Sequence, residues 1–320
     1  MSVASVINEM KDNLPSDIVI DQKQVCRMIL KAHNIFLLDT GFISRIAHMC
    51  DAQSIGRTFE KFSNGKTSED MVFVITELIL YELKNTEDAA LTREVESFLI
   101  KICQEGYVVL LLTEETIYKE LSEYLTRNTD KWNKFMVSLL HNNVAVLKNI
   151  CSIIKSDEEF PYKNLMETGY VPSKNQDYIT NIIHHIKRRK KDRDSLGEEL
   201  ICISLLFFGE LCYKADYNHF FFCSYDRPAA VMMNMAVRTQ CGNKKNLNYE
   251  CIYLLDFIQY MITEEILVDR QVVEDILINL VGQKIKVIEN KRAPLHSEQN
   301  VIPVTEAVEL MFSGKELSFV

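Results

Sequence analysis

The chain has 320 residues, is 47% apolar and 25% charged, and carries nine cysteines and a formal net charge of −9. This size suits two domains, or one domain with large insertions, around a core that needs no disulfide or metal staple. The acidic balance argues against a general nucleic-acid binder, the cysteines show neither CxxC pairs nor zinc-type spacing, and no apolar run is long enough to span a bilayer. With no basic start and no apolar signal core at the N-terminus, the sequence reads as cytoplasmic, with buried thiols.

Residues 3–12 and 21–32 read as short helices, the second spaced by Val25, Met28, Ile29 and Ala32. Ile35–Leu38 is a continuous apolar run, read as a buried strand; it ends at Asp39 and opens through Thr40 and Gly41 into a helix faced by Phe42, Ile43, Ile46 and Ala47. Asp51–Asp70 is polar, a loop or partly helical. MVFVI at Met71–Ile75 is a second strand, followed by a helix capped by Thr76 that carries Glu77 and Glu82. Leu91–Gln104 is an amphipathic helix with Gly106 as its C-cap. YVVLLL at Tyr107–Leu112 is a third strand, and Thr113 caps a helix with Glu114 and Glu115 in its first turn.

From about 127 to 191 the pattern reads as a helical insertion. It holds the one tryptophan, Trp132, and the pair His184-His185. The run Lys187–Arg193, KRRKKDR, has six cations in seven positions. Asp194, Glu198 and Glu199 then open a helix that is apolar nearly all round. HFFFC at His219–Cys223 is a fourth strand, followed by Ser224-Tyr225-Asp226 and a helix from Arg227-Pro228. The expected fold class is therefore α/β: a mostly parallel central sheet flanked by helices, with a helical insertion and a helical C-terminal region. The expected organisation is N-terminal helices at 1–33, a main domain at 34–240 and a C-terminal region at 241–320.

In a parallel sheet, strand C-termini and the N-termini of the following helices share one edge, where ligands bind. Asp39 and Asp226 directly follow strands, Glu82 lies on the helix after the second, and Asp194, Glu198 and Glu199 start the helix before the fourth. Crowded carboxylates stay ionised only beside cations, and hard oxygen ligands suit Mg²⁺ or Mn²⁺, which can activate water for phosphodiester hydrolysis. No P-loop, GxGxxG, GxSxG or HExxH motif offers another chemistry. Each feature also has a plainer reading: Asp39 as a strand-end cap, Glu77 as a first-turn acid served by the helix dipole, Asp194 as an N-cap, Ser224 as a turn residue, Trp132 and Phe220–Phe222 as core, and KRRKKDR as a solvated helix end.

These segments together resemble the PIN-domain nucleases. The resemblance rests on IFLLDTGFIS, FVITELILYELKN, YVVLLLTEET, DSLGEELICISLLFFGE and HFFFCSYDRPA, and spans about Ile35–Met235. It matches Asp39 to the acid after the first strand and Glu82-Leu83 to a Glu-Leu pair after the second. Asp194 or Gly197-Glu198 matches the acid opening a buried helix, and Ser224-Tyr225-Asp226 a Thr/Ser-x-Asp after the last core strand. What this implies is a Mg²⁺- or Mn²⁺-dependent endoribonuclease with Asp39, Glu82, Asp194, Glu198 and Asp226 as catalytic acids. Asp39, Glu82, Glu198 and Asp226 are the preferred metal ligands; Glu198 and Glu199 diverge by about 100° on a helix. Thr40, Ser224, Lys187, Arg188, Arg189, Lys190 and Lys191 are candidates for holding RNA, such as tRNA or mRNA. A toxin or defence effector of this kind needs a protein inhibitor or regulator, or a homo-oligomer, and the 241–320 region is a candidate surface for it. The alternatives are a non-cutting RNA- or protein-binding module and, third, a receiver- or phosphatase-like protein with Asp39 as nucleophile.

Overall fold

The computed structural model describes residues 6–49, 52–63, 70–84, 90–125, 129–142, 147–156, 167–168, 183–189, 195–211, 218–241, 248–288, 299–315 and 317–319. Five parallel strands form the central sheet: β1 (Asn34–Leu38), β2 (Met71–Thr76), β3 (Val108–Leu112), β4 (His219–Ser224) and β5 (Asn248–Tyr253), in the order β3-β2-β1-β4-β5. The first four are the apolar runs of the sequence. Helices cover both faces of a parallel sheet, so its strands need apolar side chains on both sides. β1 and β2 are buried along their whole length. At the centre, Phe36 of β1 stacks on Phe221 of β4 at 4.5 Å and meets Phe73 of β2 at 5.4 Å.

The strand order fixes where a ligand belongs. From β1 the chain proceeds outward through β2 and β3, then returns to the other side of β1 for β4 and β5. The direction reverses between β1 and β4, and in open parallel sheets the crevice opens at such a reversal, beyond the strand C-termini. Asp39 follows β1 and Asp226 lies just past β4, so both flank that point.

The terminal segments are tied into the sheet rather than set beside it. Val19 adds a bridge to the outer edge of β3: its N–H donates to Val109 at 3.0 Å and its carbonyl accepts from Leu111 at 3.0 Å. Gln22 extends this by donating to the Leu111 carbonyl and accepting from the Thr113 N–H. The helix Gln22–Lys31 is capped by Asp21, and a shorter helix, Val6–Met10, precedes it.

Residues 241–320, expected to be helical, carry strands as well as the helices Leu254–Thr263, Arg270–Val281 and Val304–Phe312. β5 completes the main sheet. β6 (Lys284–Ile288), β7 (Gln299–Pro303) and β8 (Ser318–Phe319) form a small antiparallel sheet in the order β7-β6-β8. NYECIY in β5 is only partly apolar because it lies at the sheet edge, and that hid it from a search for apolar runs. The polar segment 51–70 contains the helix Ala52–Phe62. Among the described residues no helix is long and apolar enough to cross a membrane, and the described cysteines are free thiols.

Gly56, in that helix, sits against the ring of Tyr107, whose hydroxyl donates to Glu60 at 2.9 Å. A Cβ on Gly56 would lie 2.3 Å from the ring. Alanine in a helix normally gains about 1 kcal/mol over glycine. Gly56→Ala is expected to reverse that sign and cost about 1–3 kcal/mol by overpacking, read as a lower urea midpoint.

Candidate functional site

Asp39 is the buried centre of the site. Its backbone N–H continues the sheet by donating to Cys223, and its carbonyl accepts from Ile43 at 3.0 Å, so it is also the cap of the helix Thr40–Met49. The plain capping role therefore holds. Its carboxylate does more than cap. Oδ2 accepts the Ser224 hydroxyl at 3.0 Å, and the Ser224 Oγ accepts the Asp226 N–H at 3.0 Å. One hydroxyl thus links the two strand-end acids across β1 and β4. Burial pushes the Asp39 pKa up to about 6; the Ser224 hydrogen bond opposes this, while the nearby charges of Glu82 and Asp226 add to it. The charges pressing on this carboxyl are negative, the condition that favours a bound cation.

Glu82 reaches the same place from the helix Glu77–Leu83, where its Oε2 accepts the Thr40 hydroxyl. It also lies against the start of the buried helix Leu196–Leu211. A Cβ on Gly197 would come within 3.1 Å of Glu82 Oε1 and 3.4 Å of Ile79. Gly197 thus gives the Glu82 carboxylate its room. Gly197→Ala is expected to leave stability unchanged or slightly raised, from helix propensity; if Glu82 serves as a metal ligand, it should also lower Mn²⁺ affinity about 10–100-fold, as lost outer-shell support does. Calorimetric titration beside a thermal melt separates the two effects.

Of the three acids considered for the buried helix, Asp194 lies outside the described residues. Glu199 is buried and turned away. It accepts the backbone N–H groups of Asn149 and Ile150 at 3.2 and 2.9 Å, and the Asn149 side chain at 2.9 Å. It therefore caps the insertion helix Lys148–Lys155. Glu198 lies beside Asp226 and Ser195 in an open cavity of about 740 Å³. Asp226 is exposed, and neighbouring protein nudges its pKa upward.

The described part of the cationic run, Lys187 to Arg189, does not line this site as expected. Lys187 is fully buried, 2.5 Å from Glu77 and 2.9 Å from both Glu114 and Glu115. Burial opposes its charge, but Glu114, Glu115 and Glu77 together outweigh burial and hold the ammonium protonated. Arg188 pairs with His184, and Arg189 donates to Ser156, both within the insertion. Lys190 and Lys191 lie outside the described residues, as does the Trp132 side chain.

Glu77 is correspondingly not a solvated first-turn acid. It accepts the Ile7 N–H at 3.1 Å as well as Lys187, and burial pushes its pKa up. Thr76 makes no side-chain cap; Glu114 caps that helix from outside, accepting from Leu78 at 3.2 Å. Among the described residues, Glu77, Glu114 and Glu115 are the trio whose carboxylate oxygens lie within 4.8 Å of one another, a spacing a metal ion could use. The Lys187 ammonium already lies at their centre, and a divalent ion would have to displace it.

The sheet edge therefore holds two acidic clusters. At β2 and β3 a lysine fills the cluster. At β1 and β4, Glu82 and Asp226 lie close enough to act on Asp39, the group is open to solvent through Asp226, and Glu198 lines the cavity beside Asp226. Carboxylate oxygens are the ligand type a hard divalent cation takes, but no three of these acids bring ligand oxygens within 4.8 Å of one another. Comparison of the chain with protein-family models, with curated proteins and with solved structures finds no match.

Proposed function

We propose that this chain is a PIN-like, metal-dependent endoribonuclease. The observation that carries this reading is Asp39: a buried carboxyl at the reversal point of a parallel sheet, linked through Ser224 to the Asp226 backbone, its pKa raised chiefly by burial and further by Glu82 and Asp226. Asp39, Glu82 and Asp226, with Glu198 at the cavity wall, would hold Mg²⁺ or Mn²⁺. The bound ion supplies Lewis-acid activation of water and neutralises phosphodiester charge. Ser224 fixes the Asp39 carboxylate relative to the Asp226 backbone, and Thr40 fixes Glu82.

The test is incubation of the purified chain with total RNA and with single-stranded DNA, in Mn²⁺, in Mg²⁺ and in EDTA. Metal-dependent RNA cleavage that disappears in Asp39→Asn and Asp226→Asn supports the reading. Loss of about 10²–10³-fold is expected for a group that stabilises transition-state charge. No cleavage by folded wild type, or cleavage surviving both changes, defeats it.

A second reading, a non-cutting RNA- or protein-binding module, is favoured by one observation. Asp39, Glu82 and Asp226 do not draw three ligand oxygens within 4.8 Å of one another as the Lys187 cluster does.

A further inference from the structure

The cavity beside the acids is not lined uniformly. Glu198, Ser195 and Asp226 make one part of it. Beyond them the first turns of the helix Arg227–Cys241 supply Val231, Met232 and Met235, with Val231 47% and Met235 51% exposed. Lys148 and Arg227 also line it. Exposed methionine and valine beside a solvated carboxylate need a reason, since a helix face of this kind is ordinarily polar.

Arg227 is held by a side-chain bond, whereas Lys148 is exposed and placed by its backbone. Lys148 opens the insertion helix that Glu199 caps, and Asn149 Nδ2 donates to Ser195 at 2.9 Å. The insertion is thereby fastened to the helix that presents Glu198. Arg227 uses one of its five guanidinium donors on the carbonyl of Phe319 in β8. The C-terminal sheet thus anchors it next to Asp226.

We propose that this cavity is the binding subsite for an unpaired nucleobase and its flanking phosphate, adjoining the phosphodiester held at the acids. Thioether sulfur makes favourable contacts with aromatic rings. A floor of Met232, Met235 and Val231 offers a base a flat apolar seat, and Lys148 and Arg227 supply the phosphate contacts that the buried Lys187 does not. A base can enter only when it is unstacked and unpaired, which is how single strands and loops are recognised. The substrate class is therefore single-stranded nucleic acid. The inference rests on the nuclease reading for what lies beside the groove.

The experiment measures fluorescence anisotropy of a labelled single-stranded RNA 12-mer of mixed sequence (~12 nucleotides, within the span single-strand-binding folds cover) and of its duplex. Both are titrated with the full chain in Ca²⁺, with oligonucleotide integrity checked on a gel. Met235→Asp and Val231→Asp change half-exposed positions, and a thermal melt checks their folding. Expected are tighter binding of the single strand than the duplex, and a loss of about tenfold or more in each variant. Lys148→Glu should weaken binding and flatten its salt dependence. Equal affinity of wild type and both Asp variants, or no preference for the single strand, overturns the inference. The two readings fail separately. Metal-dependent cleavage with an unmoved KM in Met235→Asp keeps the nuclease and removes the subsite; groove-dependent binding without cleavage keeps the subsite and removes the nuclease.

Discussion

Lys187→Met should lower the unfolding free energy by about 3–5 kcal/mol, the usual result of removing one partner from a buried ionic cluster. Methionine keeps most of the volume, so the loss reports charge. Three glutamates would face one another, with Glu77 and Glu114 almost fully buried. The contribution has a defined pH range. Pairing raises the Lys187 pKa, so its stabilisation is fully present below the unfolded lysine value of about 10.4 and is lost only in strong alkali. In the variant, the stranded carboxyls can take up protons, so its deficit against wild type should shrink at pH 5 and be largest at pH 8. Urea denaturation at the two pH values measures this. A deficit under about 1 kcal/mol, typical of surface pairs, would mean that Lys187 is not the cluster's counter-charge.

Asp39→Asn should act in the opposite direction. The folded Asp39 pKa is raised from 3.8 to about 6. Between those values the native state binds more protons than the unfolded state, so stability falls as pH rises through this window. Above it, the metal-free protein carries a penalty that asparagine removes. The expected gain is about 1–3 kcal/mol at pH 8, vanishing near pH 4, with the Ser224 hydroxyl still able to donate to the amide oxygen. On the proposed metal-binding reading Mn²⁺ is expected to raise the Tm of wild type, because a ligand that binds only the native state stabilises it, and the same change should abolish that rise. In wild type this rise should itself weaken below pH 6, where Asp39 must lose a proton to bind. Thermal melts across pH, with Mn²⁺ and with EDTA, test both points. A variant less stable than wild type at pH 8 in EDTA would contradict the assignment of Asp39 as a carboxyl destabilised in its charged form by burial and by nearby acids.

What could be read from the sequence follows how strongly each element depends on a local pattern. β1 to β4 were legible because strands buried on both faces must be continuous apolar runs. Asp39, Glu82 and Asp226 were legible because their place after a strand is itself a geometric statement, and the structure brings their charges close enough to act on Asp39. Lys187 was misread because a run of cations suggests solvent. Its helical register pointed elsewhere: Ile183, Ile186 and Lys187 follow the i, i+3, i+4 spacing of one face, and all three are buried. Glu199 and Glu198 show the converse. Neighbours on a helix diverge; the sequence reading preferred Glu198 over Glu199 as the outward acid, and Glu198 lines the cavity while Glu199 caps the insertion helix. β5 and the C-terminal sheet were missed because edge strands and small antiparallel strands owe their stability to pairing with distant segments, which no local pattern records.

The Lys187 cluster also constrains what can vary. The lysine belongs to the insertion, while Glu77 and Glu114 belong to the helices that follow β2 and β3. Neither side is tolerable alone: the glutamates without the ammonium repel, and the buried ammonium without them has no counter-charge. The insertion and the two sheet-edge acids should therefore be inherited as one character. A chain of this architecture that lacks the insertion is expected to have exchanged Glu77 and Glu114 for neutral residues, and grafting the insertion onto it would require restoring both.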